Sequence, residues 1–289
     1  MALVFEHVSY TYAPLTKRQI KEGQEPLWAL EDISFSIEDG EFLAIAGHTG
    51  SGKSTLVLHL NGVINPTEGT VLWNGQDLSD KKIANQARGD IGIVFQYPEH
   101  QLFAASVYED VAFGPRNLGL SADEVEDRVK EGLELVELDY ESFKDRSPFE
   151  LSGGQQRRVA FAGVLAMRPT TLVLDEPVAG LDPASRNDFL ELIDKLHHNK
   201  ITLVMVSHNM NDIARLADRM IVLDHGKIAL SGTPEEVFSH ATELREIGLG
   251  VPHAQRMANE LRELGMPLEE GLYSPELLAN RLATLLESR

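Results

Sequence analysis

The stretch Gly47-His48-Thr49-Gly50-Ser51-Gly52-Lys53-Ser54, followed by Thr55, sets spaced glycines ahead of a lysine and hydroxyls. This spacing suits phosphate binding. Glycines let backbone N–H groups turn inward around phosphate oxygens, and a helix starting there adds the positive end of its dipole. Lys53 is placed to reach β- and γ-phosphates, and the Ser54 hydroxyl to bind Mg²⁺. A glycine-rich turn matching by chance is the competing reading. The apolar strand Phe42 to Ala46 before it and the helical Ser54 to Asn61 after it supply the context that phosphate binding requires.

A second segment, Thr171-Leu172-Val173-Leu174-Asp175-Glu176, is an apolar strand that delivers two adjacent carboxylates to its C-terminal end. Ligands of open parallel sheets bind at that end. Asp175 is expected to hold Mg²⁺, in part through water, and Glu176 to polarise an attacking water as general base. Alone, such a pair reads better as solvated surface; beside a phosphate loop it reads better as chemistry. A third segment, Leu151-Ser152-Gly153-Gly154-Gln155-Gln156, opens a helix over Gln155 to Ala166. Its serine and glycines make another anion-binding helix N-terminus. One nucleotide does not need two cradles in one subunit. The second makes sense if it closes on ATP held by another subunit.

These motifs, in this order, resemble the ABC ATPase superfamily, whose signature is the Ser152 segment; the resemblance runs from about Leu3 to Phe238. It implies further roles. Tyr12, after Val8-Ser9-Tyr10-Thr11, is similar to the aromatic that stacks on adenine, with Tyr10 a near competitor. Gln96, ending the strand Ile91 to Phe95, resembles the glutamine that contacts Mg²⁺ and the attacking water. Ala179-Gly180-Leu181-Asp182 resembles the loop that crosses to the partner's site, with Asp182 as its acid. His208, ending the strand Ile201 to Ser207, resembles the histidine that touches the γ-phosphate. The implied catalytic set is Glu176, His208, Gln96 and Lys53, with ATP and Mg²⁺ as ligands.

Gln96-Tyr97-Pro98-Glu99-His100-Gln101-Leu102-Phe103, continuing through Val107 to Gly114-Pro115-Arg116-Asn117, is similar to the energy-coupling factor (ECF) transporter ATPases. So are Ser147-Pro148-Phe149-Glu150, Ala162 to Ala166, His208-Asn209-Met210 and the C-terminal tail. That resemblance implies a subunit energising uptake of vitamins or transition-metal ions on the cytoplasmic face of the membrane. Its expected partners are a second ABC ATPase subunit, a transmembrane coupling protein and a substrate-binding membrane protein. Leu102 and Phe103 would dock helices of the coupling protein; filling the core of the helical region is the equal alternative. Another class of ABC importer, a soluble ATPase of DNA repair or translation, a non-hydrolysing switch and a P-loop kinase are the competing functions. The second usually carries paired cassettes, coiled coils or basic surfaces. Glu176 and His208 argue against the switch, and the Ser152 cradle against the kinase.

The elements that must position these residues follow from patterning. Short alternating strands fill Leu3 to Ile37, interrupted by a polar loop over Ala13 to Pro26. From Phe42, near-continuous apolar strands alternate with amphipathic helices, which predicts an α/β fold with a P-loop NTPase core and a mostly parallel sheet. An N-terminal antiparallel β subdomain precedes that core. A helical subdomain at about 97–170 is inserted in it, with Ser121 and Glu124 forming a capping box. The expected division is an ATPase domain over 1–240 and a short helical extension over 241–289. His197-His198, Met205, Met210 and Trp73 read as structural.

Composition bounds the rest. The chain of 289 residues is 43% hydrophobic and 25% charged, ordinary for a globular protein. Its longest apolar runs are of strand length, Glu6 and His7 interrupt any N-terminal signal sequence, and there is no cysteine for a disulfide or thiolate metal site. A net charge of −19 advertises no nucleic-acid surface and would be repelled by an anionic leaflet. A protein partner is therefore expected to hold the chain at the membrane.

Overall fold

The computed structural model describes residues 3–16, 18–19 and 22–287. Lys17 and Lys21, assigned to the polar loop, lie outside the described residues; much of the rest of that loop is exposed. Strands β1 (Leu3–Tyr10), β2 (Leu30–Ile37), β4 (Glu68–Trp73) and β5 (Gln76–Asp77) form an antiparallel sheet in the order β2-β1-β4-β5. The second sheet has the order β10-β9-β3-β8-β7-β6. Its members are β3 (Phe42–Gly47), β6 (Ile91–Val94), β7 (Thr171–Asp175), β8 (Thr202–Val206), β9 (Arg219–Asp224) and β10 (Lys227–Gly232). All its pairings are parallel except that of β9 with β10.

Period-two alternation explains why this sheet is buried on both faces. Phe42, Ala44 and Ala46 of β3, Leu172 and Leu174 of β7, and Leu203 and Met205 of β8 join one apolar cluster. Leu43, Ile45, Val173, Val204 and Val206 face the opposite cluster. The antiparallel sheet and helix α1 (Lys53–Leu60) cover this second face through Leu3, Phe5, Ile33, Leu56 and Leu60. The first face is covered by α3 (Val107–Asn117), α4 (Ala122–Leu135), α6 (Gly153–Leu165) and α7 (Pro183–His198). The remaining helices in this stretch are α2 (Lys81–Asp90) and α5 (Tyr140–Phe143). The helical stretch thus shares one continuous core with the sheet. Ser121 caps α4 in the capping box read from the sequence.

Helix α8 (Met210–Leu216) links β8 to β9, and after β10 come α9 (Pro234–Ser239), α10 (Ala241–Glu246), α11 (His253–Glu263) and α12 (Pro275–Glu287). Leu244 and Leu249 still belong to the main core. A separate small cluster, Ala254, Ala258, Leu268, Leu272 and Leu278, begins only with α11. Met205, Met210 and Trp73 pack in or against the cores. His197 Nε2 bonds the Gly40 carbonyl at 3.1 Å, and His198 Nδ1 the Asp194 carbonyl at 2.9 Å.

Candidate functional site

Four adjacent parallel strands deliver the site. Ile45 of β3 pairs with Val206 of β8, Asp175 of β7 with Val206, and Leu174 with Val94 of β6. One or two residues beyond these pairs lie Gly47, His208, Glu176 and Gln96, along one edge of the sheet. Strand ends in such a sheet are where ligands bind, since loops there can reach a common crevice.

The phosphate loop leaves β3 and enters α1, whose N-cap, Gly52, has φ 105° and no side-chain cap. Only glycine fits there: a Cβ would lie 2.7 Å from the Ala29 carbonyl oxygen. Lys53 Nζ donates to the carbonyls of Gly47 at 2.7 Å and His48 at 2.8 Å. Gly47, His48, Thr49, Lys53, Glu176 and His208 line a cavity of about 420 Å³. Thr49, Gly50 and Ser54 are exposed, while Thr55 and Ser51 are buried, Ser51 Oγ without a hydrogen-bond partner.

Glu176 is 16% exposed in its side chain, and the His208 Nδ1–H donates to its Oε1 at 2.7 Å from an imidazole that is 74% exposed. The backbone of Glu176 sits at φ 50° and its N–H bonds the Val206 carbonyl at 3.0 Å. A glutamate held in the left-handed region costs on the order of 1–3 kcal/mol, and such outliers collect at functional sites. Burial pushes the Asp175 carboxyl up, the neighbouring Glu176 adds to this, and Lys53 opposes it. Burial lowers Lys53, with Glu176 and Asp175 opposing. Two carboxylates therefore face one lysine in a half-buried crevice that favours added positive charge. With the exposed Ser54 hydroxyl nearby in the loop, this donor set fits Mg²⁺, a hard cation that takes oxygen ligands and triphosphate oxygens. Ser54, Asp175 and Gln96 would hold it; bound there, it neutralises charge developing on the phosphates. Gln96 is exposed at the end of β6.

Tyr12 is separated from its competitor by exposure and bonding. It is 64% exposed and its hydroxyl lies 3.1 Å from Thr55 Oγ1, at the end of the phosphate loop. Tyr10 packs against the core and its ring meets His59 at 5.0 Å. Tyr12 borders a second cavity of about 520 Å³ with Gly50, Leu27, Trp28 and His225. An aromatic face beside the phosphate loop suits a nucleobase.

Ser152 caps α6 in a capping box with Gln155, and Ser152 and Gly153 are exposed. None of Ser152, Gly153, Gly154 or Gln155 lines the cavity that holds Lys53 and Glu176. Asp182 caps α7, accepting from Ala184 N and Ser185 N at 3.1 Å each.

The two residues expected to dock a membrane partner divide. Leu102 is 9% exposed and packs in the main core, the alternative weighed for it, while its remaining surface lines the groove beside Phe113. The segment Pro98–Gln101 tucks against α6, which turns Leu102 inward onto the helical layer. Phe103 is 61% exposed and meets the ring of Phe113 edge-on at 5.0 Å. Its backbone is pinned by Asp110, which accepts from Phe103 N at 3.3 Å and Ala104 N at 2.9 Å. Burial pushes the Asp110 carboxyl up despite those bonds. Beside it lies a groove of about 400 Å³ lined by residues that include Arg88, Leu102, Phe113, Val164 and Met167.

Two features escaped the sequence reading. Gly248, Leu249 and Gly250, past α10, line the cavity with Glu176 and His208. The paired glycines were the one local signal. The buried Arg157 on α6 makes a bidentate pair with Glu99 at 2.8 and 2.9 Å and donates to the Ala179 carbonyl at 2.8 Å. It thereby joins the signature helix to the segments following Gln96 and Glu176.

Comparison with known proteins agrees with this geometry. Residues 30–179 match the family described as ABC transporter. The chain is 55% identical over 242 residues to the energy-coupling factor transporter ATP-binding protein EcfA2 of Caldanaerobacter subterraneus, covering 83% of this chain and 84% of that one. It is 46% identical over 290 residues to the same-named protein of Clostridium acetobutylicum, covering 100% and 99%. Among solved structures, cbiO1 of Clostridium perfringens, described as part of the ABC transporter complex cbiONQ, aligns with TM-score 0.73 and 35% identity over 90% of this chain and 98% of that one. A dimeric post-hydrolysis state of an ATP-binding cassette bound to ADP and Pi aligns with TM-score 0.68 and 32% identity, over 80% and 98%. With its phosphate loop, carboxylate pair and signature helix in place and these relatives aligned along most of its length, the chain belongs to the ABC transporter ATPase family, in the branch of the energy-coupling factor ATP-binding proteins.

Proposed function

We propose that this chain hydrolyses ATP to energise a membrane importer of the energy-coupling factor type, taking up vitamins or transition-metal ions. The observation that carries this is the split between its two cradles. The phosphate loop, Asp175, Glu176 and His208 meet at one strand edge, while Ser152 to Gln155 lie outside that crevice, with Ser152 and Gly153 exposed. Two copies, or this chain and a similar subunit, would each close a signature helix over the other's ATP. In each site Lys53 holds the β- and γ-phosphates, Tyr12 stacks on adenine, and Glu176 takes a proton from the attacking water. His208 fixes the Glu176 carboxylate through its Nδ1–H, and Asp182 borders the site across the pair.

The chain would sit peripherally on the cytoplasmic face, held by a transmembrane coupling protein that works with a substrate-binding membrane protein. Among the described residues no helix is long and apolar enough to cross a membrane. The groove beside Phe103 suits a helix of the coupling protein, since exposed aromatic anchors at a concave apolar surface bind amphipathic helices. The test is Phe103→Asp, chosen because its side chain is exposed and the fold does not need it. The variant is expected to fold and bind ATP normally, yet to be lost from the complex purified through the membrane subunits. Full retention in that complex would reject Phe103 as the anchor. Recovery of the unsubstituted chain only in the soluble fraction would reject the transport role.

A further inference from the structure

His48, the second residue of the phosphate loop, has its two ring nitrogens facing two acceptors. Nδ1 lies 2.8 Å from the Thr49 carbonyl oxygen and Nε2 3.0 Å from Asp224 Oδ1. A carbonyl oxygen can only accept, so Nδ1 carries the proton. In the neutral ring, Nε2 then presents a bare lone pair to a carboxylate. Either a second proton or a cation must lie between them. A third donor settles which groups are available: His225 Nε2 is 3.7 Å from the same Asp224 oxygen, and the ligand atoms of all three residues lie within 4.8 Å of one another.

We propose that His48, Asp224 and His225 bind a divalent first-row transition-metal ion such as Zn²⁺, Co²⁺ or Ni²⁺ between the phosphate loop and the β9–β10 turn. Two imidazoles and one carboxylate are the donors these ions take, with a remaining position open to water. Mg²⁺ prefers oxygen and is disfavoured. Metal-bound histidines donate their other N–H to a carbonyl or carboxylate, which fixes tautomer and ring direction; the His48 bond to Thr49 is of that kind. Ligand atoms around a four-coordinate zinc with bonds near 2.0–2.1 Å lie about 3.3 Å apart. The two separations from Asp224 Oδ1, 3.0 Å to His48 Nε2 and 3.7 Å to His225 Nε2, bracket that value.

The backbone holding these ligands is fixed. Gly47 pairs with Leu223, which places His48 next to Asp224 across adjacent parallel strands. His225 and Gly226 form the two-residue turn between β9 and β10, at φ 46° and φ 80°, the twist that suits a tight hairpin. Gly226 N donates to the Ser51 carbonyl at 3.1 Å and its carbonyl accepts from Glu31 N at 2.8 Å. A Cβ at Gly226 would lie 2.9 Å from the Ala29 carbonyl oxygen. The turn is therefore clamped to the phosphate loop on one side and to β2 on the other. A bound ion would tie the first turn of the phosphate loop to this hairpin. Its ligands are different residues from Ser54 and Asp175, the donors named for Mg²⁺.

The experiment titrates Co²⁺, without nucleotide, into the full chain stripped of metal, reading visible absorption, with Zn²⁺ calorimetry in parallel. The expected result is one ion per chain, undisturbed by millimolar Mg²⁺. His225→Asn keeps a residue suited to the positive-φ turn and Asp224→Asn keeps the side-chain shape; both should weaken binding at least tenfold. His198→Ala, at the other histidine pair, should bind as the unsubstituted chain does. Unchanged Co²⁺ affinity in both His225→Asn and Asp224→Asn, or equal loss in His198→Ala, would overturn the assignment.

Discussion

At the scale of single residues, the crevice separates three tasks among neighbouring charged groups. Lys53 is anchored to loop carbonyls, Asp175 is a half-buried carboxylate pushed up by burial, and Glu176 is held by the His208 imidazole. Of the two carboxylates, Glu176 is the one that lines the cavity, and the His208 bond fixes its orientation, which is what a general base needs. Glu176→Gln keeps the shape and the contact with His208 but removes the basic oxygen. ATP affinity should stay near normal while hydrolysis falls by roughly 10²–10⁴-fold. The same variant should accumulate as an ATP-bound dimer on size-exclusion chromatography, because nucleotide joining the subunits is no longer cleaved. Near-normal phosphate release would remove Glu176 from the role of base.

At the scale of elements, α6 is the part that connects the sites. Its N-terminus carries Ser152, and one turn on, Arg157 grips Glu99 and the carbonyls of Pro177 and Ala179. Burial, the largest single influence, raises the Glu99 carboxyl, but the Arg157 hydrogen bonding and charge, a backbone hydrogen bond and the His100 charge together hold the group below its usual range. One buried guanidinium thus ties the signature helix to the segments that follow Gln96 and Glu176. Arg157→Met should leave Glu99 semi-buried without its partner, a loss of about 3–5 kcal/mol in unfolding free energy. Thermal denaturation of the isolated chain measures it. An unchanged melting temperature would mean that Arg157 is not a structural tie.

At the scale of the whole molecule, the sheet is sandwiched between two apolar layers and its catalytic edge opens outward. Past α10, the chain returns Gly248 to Gly250 to that crevice before forming the separate cluster of α11 and α12. His253 N at the start of α11 donates to Asn211 Oδ1 at 2.8 Å on α8, the helix that follows His208. The extension is therefore physically continuous with the catalytic edge. The shared-site dimer gives a clean contrast between its two cradles. Ser152→Arg should leave ATP binding to the isolated chain nearly unchanged while abolishing turnover in the assembled pair. Lys53→Ala should weaken ATP binding itself by removing the phosphate contact. If equilibrium binding fell equally in both variants, the two cradles would serve one nucleotide and the dimer model would fail.

Much of the fold and the site was legible in the chain itself, for a local reason. A phosphate loop is a strand, a glycine turn and a helix in immediate succession, so Gly47 to Thr55 declare it without distant help. The same holds for the capping boxes at Ser121 and Ser152, which close within one helical turn. The strand-end positions of Gln96, Glu176 and His208 also follow from short apolar runs. Long-range packing decided the rest. Leu102 and Phe103 are adjacent and equally apolar, yet one faces the core and the other solvent, because that choice is set by how the segment lies on α6. Tyr10 and Tyr12 would share a face in a continuing strand; their fates differ because β1 ends at Tyr10, which packs on the core, while Tyr12 lies beyond it beside the phosphate loop. The approach of Gly248 to Gly250 to Glu176, and of His225 to His48, joins residues far apart in the chain. No periodicity encodes such contacts; they exist only once the sheet order is set and the β9–β10 hairpin is clamped against the phosphate loop.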